Sequence, residues 1–376
     1  MIKFLHCADL HLDSPLAALD LRRAEVRRNE FRAAFTSLTL YARLNKIDFL
    51  LISGDLLESD FATKDTVALL KREFASIPDC EVIIQPGNHD PYTSQSFYRR
   101  TEFPPNVHIF DADELSCFDF PEKNTTVYGY AFTGPKLEHC PFENTKPTDP
   151  SRINLLLAHG EIGKSVSEKG PIPLEAISET GYDYVALGHY HDHSGIKKLG
   201  ATYYAYSGCL ESRGFDELGE KGAIIGAAEK ENGELKLAAK FVRFSKRRYE
   251  IDTLDVSGCR TNPDVAEKLG ALIAEKRYGD DTALRVRLTG EVGGELGISE
   301  TFLSEQFPHL FLLRLVDETM PLLDVEQLRR DPTIRGAFYD SLRPMLESSD
   351  KKERELASQA LRYGLAAISG GDIVDF

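Results

Sequence analysis

The sequence predicts an α/β protein in which a second β-sheet packs on the first, followed by a small α+β domain and a helical segment. Three observations support this prediction. Strand-like and helical segments alternate up to Asp90, short strand-like segments follow one another between 107 and 243, and helical patterns dominate from Asp324 onward. The strand–helix–strand order favours parallel pairing, because a crossover helix returns the chain to the same end of the sheet.

Three buried strands are predicted for the first sheet. Residues 2–8 form a strand that runs into a loop at Asp9, KIDFLLISGDLL stops at Gly54-Asp55, and DCEVIIQPGNHD ends in a Pro-Gly turn. The helix between the first two strands is predicted from about 19 to 44, where apolar residues fall on one face. A second helix, TKDTVALLKREFASI, has Thr63 as its N-cap.

The remaining strands are short and closely linked. They are expected near 107–110, 115–119, 126–132, 153–158, 183–187, 203–207, 222–229 and 235–243. After about Phe244 the pattern predicts a new unit, with strands at 249–256, 282–289 and 309–315 and helices at 262–276 and 299–307. We therefore expect three parts, with boundaries 1–245, 246–322 and 323–376.

Two helix starts are predicted in the last part. Asp331-Pro332 has the residue types of an N-cap and a first-turn proline. Asp350 with Glu353 has the spacing of a capping box for a final helix.

The composition is that of an ordinary globular protein. The chain has 376 residues, of which 42% are hydrophobic and 28% charged, and no apolar run is long enough to span a bilayer. The N-terminal MIKFLHCADLHLD has a single lysine followed by acids, so we expect the first strand there and no signal peptide. Six cysteines without a C-x-x-C pair predict reduced thiols, a cytoplasmic location and no structural zinc.

The formal net charge of −15 argues mildly against nucleic-acid binding, since phosphate contacts need basic surface. Net charge does not locate charge, however. The helix predicted after the first strand carries Arg22, Arg23, Arg27, Arg28 and Arg32. These arginines are our first choice for phosphate contacts, and a dimer interface or a solvated helix face are the alternatives.

Five predicted strands end in polar clusters, CADLHLD, SGDLLESD, PGNHDP, LAHGE and LGHYHDH. Because the carboxyl ends of strands in an open α/β sheet meet at one crevice, we expect a shared site there. The clusters supply Asp9, His11, Asp55, Asn88, His89, His159, His189 and His191. Imidazoles, carboxylates and an amide oxygen without thiolate suit Mn²⁺, Fe²⁺ or Zn²⁺ better than Ca²⁺. One such cluster is usually a turn, but five at strand ends predict a metal site.

In this order the clusters resemble the calcineurin-like metallophosphoesterases, whose pattern is D-x-H, G-D, G-N-H-D/E, a later histidine and G-H-x-H. The phrases FLHCADLHLDSPL and YSGCLESRGFDELGEKG are similar to the SbcD/YhaO branch of DNA repair nucleases, bacterial relatives of the meiotic recombination nuclease. The resemblance covers residues 1 to about 230 well. It implies a four-layer α-β-β-α sandwich for 1–245, a DNA-binding capping domain for 246–322 and an ATPase-docking segment for 323–376.

The resemblance also implies two divalent metal ions, with Mn²⁺ favoured and Fe²⁺, Zn²⁺ or Mg²⁺ as alternatives. One ion would be held by Asp9, His11, Asp55 and His191, and the other by Asp55, Asn88, His159 and His189. Asp55 would bridge the ions, since a carboxylate has two oxygens. His89 would be catalytic, donating to the leaving oxygen or steadying the transition state. Glu58 is placed as a polar partner for His89, with an ordinary surface glutamate as the alternative.

The implied activity is Mn²⁺-dependent exonuclease and single-strand endonuclease action in DNA double-strand break repair. The implied partners are DNA, an SMC-like ATPase of the SbcC type and a second copy of the chain. A stripe of Ile334, Phe338, Leu342 and Leu346 is the candidate docking surface, and packing within the chain is the alternative. Rival functions are a phosphodiesterase or phosphatase for small substrates, and a metal-bound scaffold that holds DNA ends without cutting.

The other histidines have lesser expected roles. His193 continues the alternation of His189 and His191, but the implied ligand sets leave no metal for it, so we expect it in the outer shell or toward the DNA groove. His6 is expected in the core or behind the ligands, and His108, His139 and His309 are expected to be structural. Cys209 stands where the family usually has a small hydroxyl, which should alter packing only.

Overall fold

The computed structural model describes residues 1–231, 233–293, 296–322 and 325–368. The chain divides into two compact units, Met1–Tyr249 and a unit that begins at Glu250. The predicted three-part division stays a prediction, and its second boundary falls on residue 323, outside the described residues. No helix in the described part of the chain is long and apolar enough to cross a membrane.

The first unit is built mainly from strands. In chain order they are β1 (Ile2–Cys7), β2 (Phe49–Ser53), β3 (Glu81–Gln85), β4 (Val107–Ile109), β5 (Ser116–Phe120), β6 (Thr125–Gly129), β7 (Ile153–His159), β8 (Glu161–Ile162), β9 (Pro171–Ile172), β10 (Tyr184–Gly188), β11 (Lys197–Leu199), β12 (Thr202–Tyr206), β13 (Gly222–Glu231) and β14 (Glu234–Arg243). The helices are α1 (Leu21–Asn45), α2 (Lys64–Ala75), α3 (Phe97–Arg100) and α4 (Leu174–Ser178), with 3₁₀ turns at Ser59–Phe61 and Pro121–Lys123.

Two six-stranded mixed sheets form the centre of this unit. The first has the order β14-β13-β1-β2-β3-β4 and the second the order β11-β12-β10-β7-β6-β5. As predicted, β1, β2 and β3 pair in parallel, and β4, which was predicted among the later strands, joins the same sheet in parallel. Strands β6, β7, β10 and β12 are also parallel. Strands β13 and β14 close the first sheet as an antiparallel pair against β1.

Apolar side chains on three surfaces produce the layers. Phe49 and Leu51 of the first sheet pack with Leu155 and Leu157 of the second, so both sheets bury one face against the other. The outer face of the first sheet is covered by α1 and α2, through side chains such as Phe35 and Phe74. Helix α4 and neighbouring loops cover the outer face of the second sheet. The predicted α-β-β-α sandwich is confirmed.

Helix α2 begins where its sequence predicts. Thr63 is its N-cap, and the Thr63 hydroxyl accepts a hydrogen bond from the Thr66 backbone N–H at 3.2 Å. Asp20 caps α1 in the same way, accepting from the Arg23 backbone N–H at 2.9 Å. Each cap satisfies an N–H that the helix itself cannot bond.

From residue 248 onward the strands are β15 (Arg248–Asp255), β16 (Thr282–Thr289), β17 (Glu291–Val292), β18 (Leu312–Asp317) and β19 (Met320–Pro321). The helices are α5 (Asn262–Lys276), α6 (Glu300–Gln306), α7 (Val325–Arg330), α8 (Ile334–Leu346) and α9 (Lys351–Ile368). Strands β15, β16 and β18 form one sheet, on which α5 and α6 pack through residues such as Leu269, Leu303 and Val286. Helices α8 and α9 pack around Tyr339, Leu361 and Leu365.

The first of the two predicted helix starts in the last part is wrong. The N-cap of α8 is Thr333, and the Asp331 carboxylate accepts from the Thr333 backbone N–H at 2.8 Å instead of capping the helix. Helix α9 begins directly after Asp350, as predicted, and the Asp350 carboxylate accepts from the Lys352 backbone N–H at 2.8 Å. The capping box itself does not form, because Glu353 accepts from the Ser348 hydroxyl and not from the Asp350 backbone.

Candidate metal centre

The polar clusters that follow β1, β2, β3, β7 and β10 meet at one edge of the sandwich. Ligand atoms of Asp9, His11 and His191 lie within 4.8 Å of one another, and so do those of Asp9, Asp55 and His159. A third such group is formed by His11 with Glu58 and His89. The predicted convergence therefore follows from parallel strands that end at the same edges of two facing sheets.

Four of the predicted ligands hold unusual backbone conformations. Asp9, His11, Asp55 and His189 have positive φ values of 54°, 41°, 53° and 103°. Such values are rare for residues other than glycine and cluster at functional sites, where the surrounding structure must hold them in place. Here the Asp9 N–H bonds the Gly54 carbonyl and the His11 N–H bonds the Asp55 carbonyl, both at 3.0 Å. The His189 N–H donates to the Asp9 carboxylate, also at 3.0 Å.

Two glycines of the motifs allow the sheets to approach closely at this edge. A Cβ at Gly188 would lie 1.8 Å from the Ser53 carbonyl oxygen, and one at Gly54 would lie 2.1 Å from Nδ1 of His159. No side chain fits either position without moving backbone or a ligand. The glycines of G-D and G-H-x-H are thus explained by packing.

Three of the imidazoles are held by their outward nitrogen. Nδ1 of His11 lies 3.1 Å from a Glu58 oxygen, Nδ1 of His191 lies 2.7 Å from a Glu217 oxygen, and Nδ1 of His159 lies 2.9 Å from the Ser53 carbonyl. An acceptor at Nδ1 places the ring proton there and leaves Nε2 with its lone pair pointing inward. This is the arrangement in which histidine usually binds a metal ion.

The inward-pointing atoms are acceptors that face one another. Nε2 of His11 lies 3.3 Å from Nε2 of His191. Nε2 of His159 lies 3.1 Å from Oδ1 of Asn88 and 3.4 Å from Oδ2 of Asp55. Lone pairs at these separations repel unless a proton or cation lies between them. Mixed nitrogen and oxygen donors of this kind fit a pair of borderline divalent ions.

The charges of the buried ligands support the same interpretation. Burial opposes ionisation of Asp55, but His159, His11 and His89 lower its pKa far below the ordinary value. Burial alone would lower the pKa of His159, but Asp55 and Asp9 raise it to about 9. The carboxylates of Asp9 and Asp55 thus hold a proton on His159. A metal ion bound at the same place would take the position of that proton, since a histidine ligand must be neutral.

His89 and Glu58 lie beside this cluster. Oε1 of Glu58 lies 2.7 Å from Nδ1 of His89, while its Oε2 faces His11, so one carboxylate contacts both rings. The hydrogen bond to Glu58 raises the pKa of His89, whose side chain is 42% exposed. The partner expected for His89 is thus in place, and its role in a reaction stays a prediction.

The ring of His189 lies edge-on to that of His159, with 5.3 Å between ring centres. Burial lowers the pKa of His189 to about 4, which keeps the ring neutral as a ligand must be. His193 is turned away: Nδ1 bonds the Tyr206 carbonyl at 3.0 Å and the ring stacks on Phe241.

The histidines assigned to structural roles lie elsewhere. His6 is buried between the Tyr184 hydroxyl and the Leu187 carbonyl. His108 lies 2.8 Å from a Glu81 carboxylate oxygen, and the ring of His309 is near that of Phe307. Cys209 is buried, and its backbone N–H donates to the His191 carbonyl at 3.0 Å.

Asp90 is a further buried residue of the centre that was not among the predicted site residues. This fully buried carboxylate accepts from the backbone N–H groups of Gly87, Asp55, Leu56 and Leu57. It thereby ties the loop after β2 to the loop after β3. Its position directly after G-N-H was the available signal.

Glu217 and Lys221 were also missed. Glu217 holds His191, and the Lys221 ammonium pairs with Asp192 and reaches the His191 carbonyl at 3.3 Å. Both lie in the segment after β12, which pattern alone does not place near His191.

Three of the six arginines of α1 are paired with acids in the structure. Arg27 is fully buried and bonds Glu30 and Glu211, Arg32 bonds Asp13, and Arg23 bonds Asp20. The Arg27–Glu211 pair ties α1 to the segment after β12, and the three paired arginines weaken the case for α1 as a phosphate-binding face.

Comparison with known proteins adds to this geometry. Residues 2–193 match the family described as calcineurin-like phosphoesterase. The chain is 26% identical over 367 residues to "Uncharacterized metallophosphoesterase YhaO" of Bacillus subtilis (strain 168), covering 90% of this chain and 86% of that relative. It is 23% identical over 250 residues to the SbcD component of the SbcCD nuclease of Staphylococcus epidermidis (strain ATCC 12228 / FDA PCI 1200), covering 58% of this chain and 64% of that relative. The resemblance inferred from the five clusters is confirmed.

Proposed function

Because this chain belongs to the calcineurin-like phosphoesterase family, we propose that it is a two-metal-dependent nuclease that hydrolyses phosphodiester bonds of DNA. The family consists of metal-dependent phosphoester hydrolases with a dinuclear metal site. One observation carries the proposal: buried ligand atoms converge beside a partly exposed histidine, His89. The nuclease name of one relative supports a nucleic acid as the substrate.

The proposed ligand sets are those of the sequence analysis. Asp9, His11, Asp55 and His191 would hold one ion, and Asp55, Asn88, His159 and His189 would hold the other. Mn²⁺ is the proposed metal, since nitrogen and oxygen donors without thiolate suit it. When bound, such a pair activates a water and neutralises charge that develops on the phosphoryl group.

The contribution of His89 follows from its surroundings. Its Nδ1 is engaged by Glu58, so its Nε2 is the nitrogen free to meet a substrate. Glu58 raises the pKa of His89 and so favours the protonated ring. A protonated Nε2 donates a hydrogen bond, and then the proton, to the leaving oxygen of the cleaved diester. Glu58 acts through His89 and is a positioning residue.

We also propose a setting for this activity. The chain would act in double-strand break repair with an SbcC-type SMC-like ATPase, as a homodimer. Residues 246–322 would form a capping domain that contacts DNA, and 323–376 would dock on the ATPase. In the predicted docking stripe, Phe338, Leu342 and Leu346 pack toward α9, while Ile334 is 69% exposed. Packing within the chain thus accounts for most of the stripe.

The decisive experiment uses labelled duplex and hairpin DNA with Mn²⁺ or with a chelator, in the presence and absence of the ATPase. Degradation that needs Mn²⁺ supports the proposal. Cleavage of bis-p-nitrophenyl phosphate without any DNA degradation would favour a small-molecule phosphodiesterase. DNA binding without cleavage of either substrate would favour a scaffold. His89→Ala should abolish cleavage and leave bound Mn²⁺ nearly unchanged, and cleavage that survives this change would refute the assigned role of His89.

A further inference from the structure

Arg213 is a cation held at the rim of the candidate centre that the proposed mechanism does not use. It lies in the segment between β12 and β13. Its backbone N–H bonds one oxygen of Glu217 at 2.6 Å, and its Nε bonds the other at 2.9 Å. This double attachment fixes the guanidinium, and 24% of the side chain remains exposed. The residue is therefore rigid and still accessible.

The guanidinium lies directly beside a predicted metal ligand. Nη2 lies 3.0 Å from Nδ1 of His191 and 2.9 Å from an oxygen of Glu217. The Glu217 carboxylate balances the charge of Arg213, but it also accepts from Nδ1 of His191. A guanidinium whose counter-ion is shared in this way still attracts an anion on its exposed side.

The guanidinium has bonding capacity left over. Nε and Nη2 face Glu217 and His191, while Nη1 makes no hydrogen bond within the ranges that the structure describes. An arginine presents its donors in a planar fork that matches two phosphate oxygens. The unused edge of Arg213 is thus suited to a phosphate.

The position of Arg213 indicates which phosphate of a polynucleotide strand it can contact. Arg213 lies on the Nδ1 side of His191, whereas the convergent ligand atoms lie on the Nε2 side. A phosphate bound among the ligand atoms is therefore separated from Arg213 by the imidazole ring. A neighbouring phosphate of the same strand, outside the convergent ligand atoms, has no such obstacle.

We propose that Arg213 binds the phosphate adjacent to the one being cleaved and so makes the enzyme selective for polynucleotides over simple diesters. This inference rests on the proposed nuclease function. It makes Arg213 a specificity-determining residue, since a diester with a single phosphate cannot make the contact.

A competing role is purely structural. Arg213 would then only hold Glu217, which in turn orients His191. Its loss would weaken Mn²⁺ binding and slow every substrate alike. The two roles are separated by the choice of substrate and by direct binding measurements.

The test compares Arg213→Gln and Arg213→Lys with the wild type on a single-stranded oligonucleotide and on bis-p-nitrophenyl phosphate, both with Mn²⁺. The control is Arg152→Gln. Arg152 is 25% exposed and paired with Asp119, but it precedes β7 at the end opposite His159. In Arg213→Gln, KM for the oligonucleotide should rise roughly ten- to a hundredfold, as expected for a lost charge-assisted bond. Because Arg213 also holds Glu217, some loss on the simple diester is expected, but it should be at least about tenfold smaller than the loss on the oligonucleotide, a difference that corresponds to one such bond. Arg213→Lys should be intermediate, because it keeps the charge without the fork.

Binding without turnover provides the second readout. Fluorescence anisotropy of the oligonucleotide in chelator, at several salt concentrations, should show the slope of log affinity against log salt reduced by about 0.7 in Arg213→Gln. Equal losses on both substrates, or a loss of Mn²⁺ binding, would overturn the proposal in favour of the structural role. An unchanged KM and salt slope would overturn it outright. If the wild-type protein cleaves the simple diester but no DNA, the nuclease function itself fails, which is a distinguishable result.

Discussion

Replacing Glu217 with glutamine tests how the centre is organised beyond its ligands. The Glu217 carboxylate is buried and accepts from Nδ1 of His191 and from the backbone and Nε of Arg213. Glutamine keeps the shape but turns one acceptor oxygen into a donor that faces another donor. We therefore expect Glu217→Gln to loosen His191 and weaken Mn²⁺ binding by roughly ten- to a hundredfold, as for other partners of metal-bound histidines.

The effect on stability can be estimated in two ways. Burial alone would raise the pKa of Glu217, but the bond from His191 and the charge of Arg213 lower it from 4.5 to about 2. At about 1.4 kcal/mol for each pH unit, this shift amounts to about 3 kcal/mol. Removing one partner of a buried charged group typically costs about 3–5 kcal/mol, which agrees.

The pH dependence has a definite sign. Because the folded pKa is depressed, the stabilisation is fully present above pH 4.5 and is lost as the pH falls through about 2. The difference in free energy of unfolding between wild type and Glu217→Gln should therefore be about 3 kcal/mol at neutral pH. It should shrink toward zero as the pH falls to about 2, where the wild-type carboxylate becomes protonated.

Both effects are measurable on the same proteins. Mn²⁺ affinity is followed by the electron paramagnetic resonance of the free ion, and stability by urea unfolding of the metal-free protein at several pH values. Glu168→Gln is the matched control, because Glu168 makes an exposed pair with Lys136, a type worth less than about 1 kcal/mol. If Glu217→Gln bound Mn²⁺ within about twofold of wild type, well inside the expected loss, and unfolded with unchanged pH dependence, the reasoning would be refuted.

Three further predictions concern neighbouring groups. Glu58→Gln removes the negative charge of the acceptor that raises the pKa of His89, so the alkaline limb of kcat/KM should move to lower pH, and an unmoved limb would exclude His89 as the acid. Asp90→Ala leaves several buried N–H groups without an acceptor and should lower the free energy of unfolding by about 3–5 kcal/mol, whereas a change below about 1 kcal/mol in urea unfolding would contradict the tie assigned to it. Removing metal with a chelator should lower the melting temperature by a few degrees, because ligands that bind only the native state add about 2.7 kcal/mol at a hundredfold excess over Kd. An unchanged melting temperature with and without Mn²⁺ would count against a site formed by folding.

The sequence contained most of the fold because its signals there are local. Strands β7, β13 and β16 lie where alternating and apolar patterns place them, and Thr63 caps α2 as predicted. Residue spacing also anticipated that Asp9, Asp55 and His159 meet, because parallel strands end at a common edge.

The missed residues depend on distant partners. Glu217 is 26 positions along the chain from His191. Asp90 is 35 positions from Asp55, whose backbone N–H donates a hydrogen bond to the Asp90 carboxylate. No periodicity or spacing rule links such pairs, since their contact is decided by how whole segments pack. The same holds for Arg27, whose arginine-rich context indicated phosphate binding although its charge is used by Glu211 inside the protein. Thr333 likewise displaced the cap predicted at Asp331, and the Ser348 hydroxyl engages the Glu353 carboxylate that the predicted capping box needed.

The wide separation of the converging residues along the chain has a consequence for synthesis. Asp9 accepts the backbone N–H of His189, 180 positions later, and Glu217 follows later still. Closing so long a loop is costly and slow until the intervening sheets exist to support it. A chain still emerging from the ribosome therefore carries its first acids long before the residues that complete the centre. A chain that has not yet added the segment after β12 therefore lacks Glu217, which holds His191, and its centre is incomplete.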